Sequence, residues 1–195
     1  MEPGVDQGRT ILKHRKVRAL CTTPKLLEAL GEKIDLYDAG IRGVFCGGTE
    51  MSPQCVRFLC EEVLPLVDRD LLSEHPLTIV GNDSQLLLGR PGLDHPDVRL
   101  VGWVPSVVPY LERARISLIP LRYGAGTKRK LIQTLMVGTP AVSTSLGVEG
   151  LDLRDGDHVL VADDAQEFAD SVARLLEHQA LWEALAAEGR QHVVA

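Results

Sequence analysis

From residue 77 onward, short continuous apolar runs alternate with segments of helical period. The run LTIVG (77–81) ends in glycine and predicts a buried strand, and VRLVGW (98–103) repeats the signal after the turn-rich GRPGLDHPD. SVVPYLERA (106–114) has the period of a short helix, with Ser106 at its N-cap and Pro109 tolerated in the first turn. ISLIPL (116–121), AVSTS (141–145) and HVLVA (158–162) predict further strands. Between the first two of these lies GAGTKRKLIQTLMVGTP (124–140), a glycine-rich turn feeding a helix that Gly138 closes ahead of Pro140. Asp164 and Glu167 then form a capping-box-like start for a helix with Phe168, Val172, Leu175 and Leu176 on one stripe. A last helix carries Leu181, Trp182 and Leu185, with Gly189 placed to stop it. Strands apolar on both faces and separated by helices make a parallel sheet covered on each side. The predicted class is therefore α/β, a Rossmann-like doubly wound parallel sheet, whose ligands sit beyond the carboxyl ends of the strands.

Upstream, the pattern predicts one βαβα unit. VRALCTT (17–23) is strand-like, PKLLEALGEKI (24–34) opens a helix at proline, and IRGVFCGG (41–48) is a second strand ending in a glycine turn. MSPQCVRFLCEEVL (51–64) is amphipathic, with Ser52 as N-cap, Pro53 at the first helical position, and Val56, Leu59, Cys60 and Val63 along one face. Two divisions of the chain fit. Either residues 1–62 are an N-terminal βαβα extension separate from a domain over 63–195, or 41–66 is a divergent first βα unit of that same domain.

Composition narrows the function. The chain has 195 residues, 45% hydrophobic and 25% charged, which is enough for a packed core and does not indicate long disorder. A net charge of −6 argues against a general nucleic-acid binder. The N-terminal stretch has no apolar core of signal-peptide length and the apolar runs are strand-sized, so the expected location is the cytoplasm, without a transmembrane segment. Cysteines 21, 46, 55 and 60 lack CxxC spacing, and the six histidines are scattered without an i, i+4 pair. No metal site is expected, and the thiols read as buried and reduced. HExxH, GxSxG and GxxxxGK[ST] patterns are absent.

The candidate chemistry lies in the glycine-rich turn. Lys128 and Lys130, with Arg129 between them, fall on the first turn of the helix, where cations oppose the macrodipole. Two explanations stand: an anion occupies that helix end, or the basic side chains form a solvated face behind a tight turn. Glycines at the carboxyl edge of a sheet let backbone N–H groups approach a phosphate, and the two lysines would complete a diphosphate site.

The ordered set LTIVG, VRLVGWVP, ISLIPLRYGAGTK, GTPAVSTSLGVEGL and HVLVAD resembles the C-terminal, donor-binding domain of GT-B family 4 (group 1) glycosyltransferases, over about residues 63–195. The resemblance implies one half of a GT-B fold that binds a nucleotide-activated sugar as substrate, with no cofactor and no metal. It places Gly124, Ala125, Gly126 and Thr127 against the donor's phosphates or sugar, with Lys128 and Lys130 neutralising the leaving diphosphate. It places Trp103 and Val104 in the nucleobase vicinity, although Trp103 also fits a packing role. Gln133, Glu149 and Gly150 would meet ribose or sugar hydroxyls.

Three departures stand out. Gln133 holds the position where family members commonly have a glutamate for the ribose hydroxyls, so that contact loses its anionic acceptor. Ala125 stands where many members have a second glutamate, eight positions earlier. The residues before 63 are too few for the N-terminal acceptor domain that completes such enzymes, and the Arg/Lys pair often present on the first strand and helix has no counterpart.

Residues 1–62 are also similar to an internal piece of AMP-forming ligases of the phenylacetate–CoA type, with GGTE at 47–50, but the adenylate-forming signature does not follow. The expected function is a glycosyltransferase-like protein, a hexosyltransferase by resemblance, for retaining transfer from a nucleotide diphosphate sugar to an acceptor hydroxyl. It is expected to be incomplete as it stands, with the acceptor domain supplied from elsewhere or by another chain. No catalytic acid or base can be named. The alternatives are an acyl-adenylate-forming fragment acting near 44–53, or a non-catalytic nucleotide-binding Rossmann module.

Overall fold

The computed structural model describes residues 43–47, 53–81, 96–123 and 128–194. In chain order the elements are β1 (Gly43–Gly47), α1 (Pro53–Arg57), α2 (Arg69–Glu74), β2 (Leu77–Val80), β3 (Val98–Gly102), α3 (Val108–Glu112), β4 (Ala114–Ile119) and α4 (Arg129–Met136). They continue as β5 (Ala141–Ser143), α5 (Ser145–Val148), β6 (Leu160–Val161), α6 (Ala165–Glu177) and α7 (Gln179–Val194). After Arg57 the first helix widens into a π-helical turn, Phe58–Val63, and ends in a 3₁₀ turn, Leu64–Leu66. The widening falls just before Pro65, which has no N–H to give the carbonyl four residues back.

The sheet runs β3-β2-β1-β4-β5-β6, and every pair is parallel. Strand order reverses at β1, so the switch point lies between β1 and β4. β1 pairs with β2 through Val44↔Leu77 and Cys46↔Ile79, and with β4 through Val44↔Ile116. Residues 43–47 are thus the centre of the sheet, and a division at 62/63 runs through the π-helical turn. The segments VRALCTT and PKLLEALGEKI lie outside the described residues.

Alternating strand positions feed two apolar layers. On one face Cys46, Ile79, Ile116, Leu118 and Val142 meet Leu59 of the π turn, Phe168 and Leu175 of α6, and Trp182 of α7. On the other face Val80, Ile119 and Ala141 meet Leu111 of α3, Leu131, Leu135 and Met136 of α4, and Val193. The predicted stripe on α6 is fully buried, and Asp164 caps that helix by accepting the Glu167 N–H at 2.8 Å. Gly138, at φ +71°, donates its N–H to Leu135 O and ends α4 as expected. No helix among the described residues is long and apolar enough to cross a membrane.

Two local readings need correction. The third helix begins at Val108 with Val107 at its cap position, and the Ser106 hydroxyl accepts the Val108 N–H at 3.3 Å from outside the helix. Gly189 does not stop α7, which runs through it to Val194. Its lack of a side chain serves packing: a Cβ there would stand 2.6 Å from His158 O and 2.9 Å from Leu135 Cδ2. Because the nearest atom belongs to the backbone, Gly189→Ala must push α7 away from the 154–158 loop. The expected loss is about 1–3 kcal/mol, read from the urea midpoint.

The same contact region carries a pair of stacked histidines. His158 is buried, its Nδ1 accepts the Arg154 N–H at 3.1 Å, and its ring lies 4.4 Å from that of His192, whose Nε2 meets Leu151 O at 3.0 Å. Burial pushes the His158 imidazole below its ordinary value; His192 and Arg154 act in the same direction, while Asp157 and Glu188 oppose it. The unfolded chain therefore takes up this proton at higher pH than the folded chain. The stability is complete above the unfolded value and is lost as pH falls toward the folded one. The melting temperature is expected to drop from about pH 8 to about pH 5, and His158→Gln to flatten part of that drop.

Candidate functional site

The carboxyl edge of the sheet is laced together by its own loops. Thr144, after β5, donates its N–H to Ile119 O at 3.2 Å and its hydroxyl to Leu121 O at 2.7 Å. Asp163, after β6, accepts the Ser145 N–H at 2.9 Å through Oδ1. Arg122, after β4, donates to Asp163 O at 2.7 Å, and its guanidinium lies 4.6 Å from the centre of the Phe58 ring. Phe58 in turn meets Phe168 edge-on at 5.7 Å. The segments leaving β4, β5 and β6 are therefore mutually fixed where a ligand of a doubly wound sheet would lie.

Gly124, Ala125, Gly126 and Thr127 lie outside the described residues. Lys128 follows them at the cap position of α4, and its side chain is only 6% exposed. Its Nζ stands 3.7 Å from Glu149 Oε2, at the end of α5, whose side chain is 68% exposed. Two residues assigned to different parts of a donor are thus brought into one ion pair. Lys130 is half-buried. Burial pushes the Cys46 thiol up to about 12, and Lys130 is near enough to pull against that rise. Gln133 is half-buried three residues beyond Lys130 and so on its side of the helix. Gly150 is exposed at φ +76°, a backbone state that favours glycine.

Trp103 directly follows β3 and is 64% exposed, so a packing role does not hold among the described residues. Val104 lines a groove of about 580 Å³ between β2, β3, α3 and the start of β4, with Arg99, Tyr110 and Arg113 around it. That groove was not legible in the sequence, because its residues come from four separate elements. Arg122 was missed for a different reason: it belongs to the run PLRYGAGTK, but nothing local shows that its partners are Phe58 and Asp163. The cysteines 46, 55 and 60 are free and buried, and burial raises the Cys60 thiol to about 12 as well. Thiols held that high are poor nucleophiles.

The chain matches the family described as glycosyl transferases group 1 over residues 41–178. No curated protein sequence matches it. Among solved structures it is similar to Anabaena HepE, crystallised in complex with UDP and glucose, with a TM-score of 0.65 and 14% identity, over 88% of this chain and 48% of that one. It is also similar to WaaG, a glycosyltransferase involved in lipopolysaccharide biosynthesis, with a TM-score of 0.65 and 16% identity, over 88% of this chain and 47% of WaaG. The C-terminal domain of a glycosyl transferase group 1 family protein, LpcC from Francisella tularensis, matches with a TM-score of 0.58 and 13% identity, over 84% of this chain and 91% of that domain. The chain spans about half the length of HepE and WaaG and most of the isolated domain. At these identities the structural likeness establishes the fold, a Rossmann-like half of a GT-B protein. The match from residue 41 to 178 covers more than half of the sequence, and the chain belongs to the glycosyl transferases group 1 family.

Proposed function

We propose that the carboxyl edge of this sheet binds a nucleotide diphosphate sugar and donates its sugar to an acceptor hydroxyl with retained configuration. The observation that carries the reading is Lys128: a nearly buried ammonium at the positive end of α4, directly after β4 at the switch point of the sheet. An ammonium at the positive end of a helix attracts an anionic ligand as its counterpart, alongside the exposed Glu149 carboxylate 3.7 Å away. The binding of UDP and glucose by HepE supports a nucleotide sugar as that counterpart.

In this reading Gly124, Ala125, Gly126 and Thr127 pass close to the phosphates, and Lys128 and Lys130 meet the charge that accumulates as the glycosidic C–O bond breaks. Trp103 and Val104 border the base, and Gln133 with Gly150 lies toward ribose or sugar hydroxyls. The charge is met by lysines and N–H groups, so the reading calls for neither a metal nor a cofactor. The donor domain begins with β1, near residue 41, and the likeness of residues 1–62 to an adenylating ligase is then incidental. The acceptor is held by a second domain, in a longer polypeptide or in another chain.

Calorimetric titration with UDP, GDP and ADP tests this. One diphosphate is expected to bind in the micromolar range. No binding by any of them rejects the reading, and binding of ATP with an acyl acid near 44–53 favours the ligase alternative.

A further inference from the structure

A lysine removed from water needs opposite charge close by. Glu149 is one such charge for Lys128, and at 3.7 Å the contact is too long for a hydrogen bond. The carboxylate is mostly in water, so the attraction is screened. The backbone beneath Glu149 is fixed, because α5 is pressed onto β5: a Cβ on Gly147 would collide with Ser143 Oγ, and the Ser145 N–H is held by Asp163. The side chain has room to turn away, since it is 68% exposed.

We infer that Glu149 is a competitor for the ligand's phosphate, occupying Lys128 in the free chain and leaving it when a nucleoside diphosphate binds; this rests on the functional reading above. A phosphate oxygen reaches an ammonium at about 2.7–2.9 Å and brings more charge than a carboxylate, so the exchange is favourable once base and sugar contacts help to hold the ligand. A carboxylate and a diphosphate repel each other at one ammonium, so Glu149 does not remain to accept ribose hydroxyls. The arrangement keeps Lys128 compensated when empty and discriminates against ligands that offer phosphate alone.

The test compares the wild-type chain with Glu149→Gln and with Asp152→Asn, an exposed carboxylate on the same turn, by calorimetry with the tightest-binding of UDP, GDP and ADP. Glu149→Gln is expected to bind about two- to fivefold more tightly, the range of a screened surface pair, and Asp152→Asn to bind as wild type does. Unchanged or weaker binding by Glu149→Gln overturns the competition alone, as does an equal gain from Asp152→Asn. A wild-type chain that binds none of the three overturns the functional reading and this inference together.

Discussion

Replacing Lys128 and Lys130 together with alanine is expected to lower the affinity for a nucleoside diphosphate by at least about thirtyfold, because truncating one side of a buried, charge-assisted contact costs about 2 kcal/mol or more. Lys128 should carry most of that loss. Its side chain is largely out of water, so its attraction for a phosphate is weakly screened, whereas Lys130 is only half-buried. Folding stability should respond differently. Removing two cations from the positive end of α4 favours the helix by about 0.3–1 kcal/mol each, while losing the buried stem of Lys128 acts against it. The double variant is thus expected to melt close to the wild type while its binding collapses. Unchanged affinity would show that the basic turn holds no diphosphate; a collapse of both properties would show that the lysines serve the fold.

The second large effect is on stability. Trp182 is completely buried at the start of α7, and its indole Nε1 donates to Arg115 O at 2.7 Å. It joins the last helix to the amino-terminal end of β4 and packs in the layer that also holds Phe168 and Leu185. Trp182→Ala removes a large aromatic side chain and leaves the Arg115 carbonyl without this donor, so a loss of about 3–5 kcal/mol is expected. Trp182→Phe keeps most of the volume and should cost roughly 1–3 kcal/mol. Urea unfolding measures both. Trp182 sits at the opposite end of β4 from the candidate site, so the affinity of the folded fraction should not change. A loss below about 1 kcal/mol for Trp182→Ala would mean that α7 is not anchored through this residue.

How well the sequence foretold the molecule depended on whether a feature is local. LTIVG, VRLVG and ISLIPL are continuous apolar runs, and each is a strand of the sheet within a few residues of its expected place. HVLVA is longer than its strand, Leu160–Val161, because its partner β5 is only three residues long and Val159 bridges to Asp155 instead. Gly189 carried a stop signal by residue type, yet its reason is the His158 carbonyl pressed against α7, a contact set by tertiary packing. The status of 43–47 was open for a similar reason. Period alone describes a strand, and only its pairing with both β2 and β4 makes it the central one. At the site, the lysines and the glycine turn could be read as candidate phosphate ligands, since residue type and helix polarity are local. The Lys128–Glu149 contact and the Arg122–Phe58–Asp163 clasp join positions far apart in sequence, which no spacing rule reaches.

The most direct test of the central claim is a crystal structure of this chain with the nucleoside diphosphate that binds it most tightly. The diphosphate is expected at the carboxyl edge between β1 and β4, with a phosphate oxygen within hydrogen-bond distance of Lys128 Nζ and the Glu149 carboxylate turned away. Density for the diphosphate itself beside Arg99 and Arg113, with Lys128 still against Glu149, would contradict the Lys128 assignment.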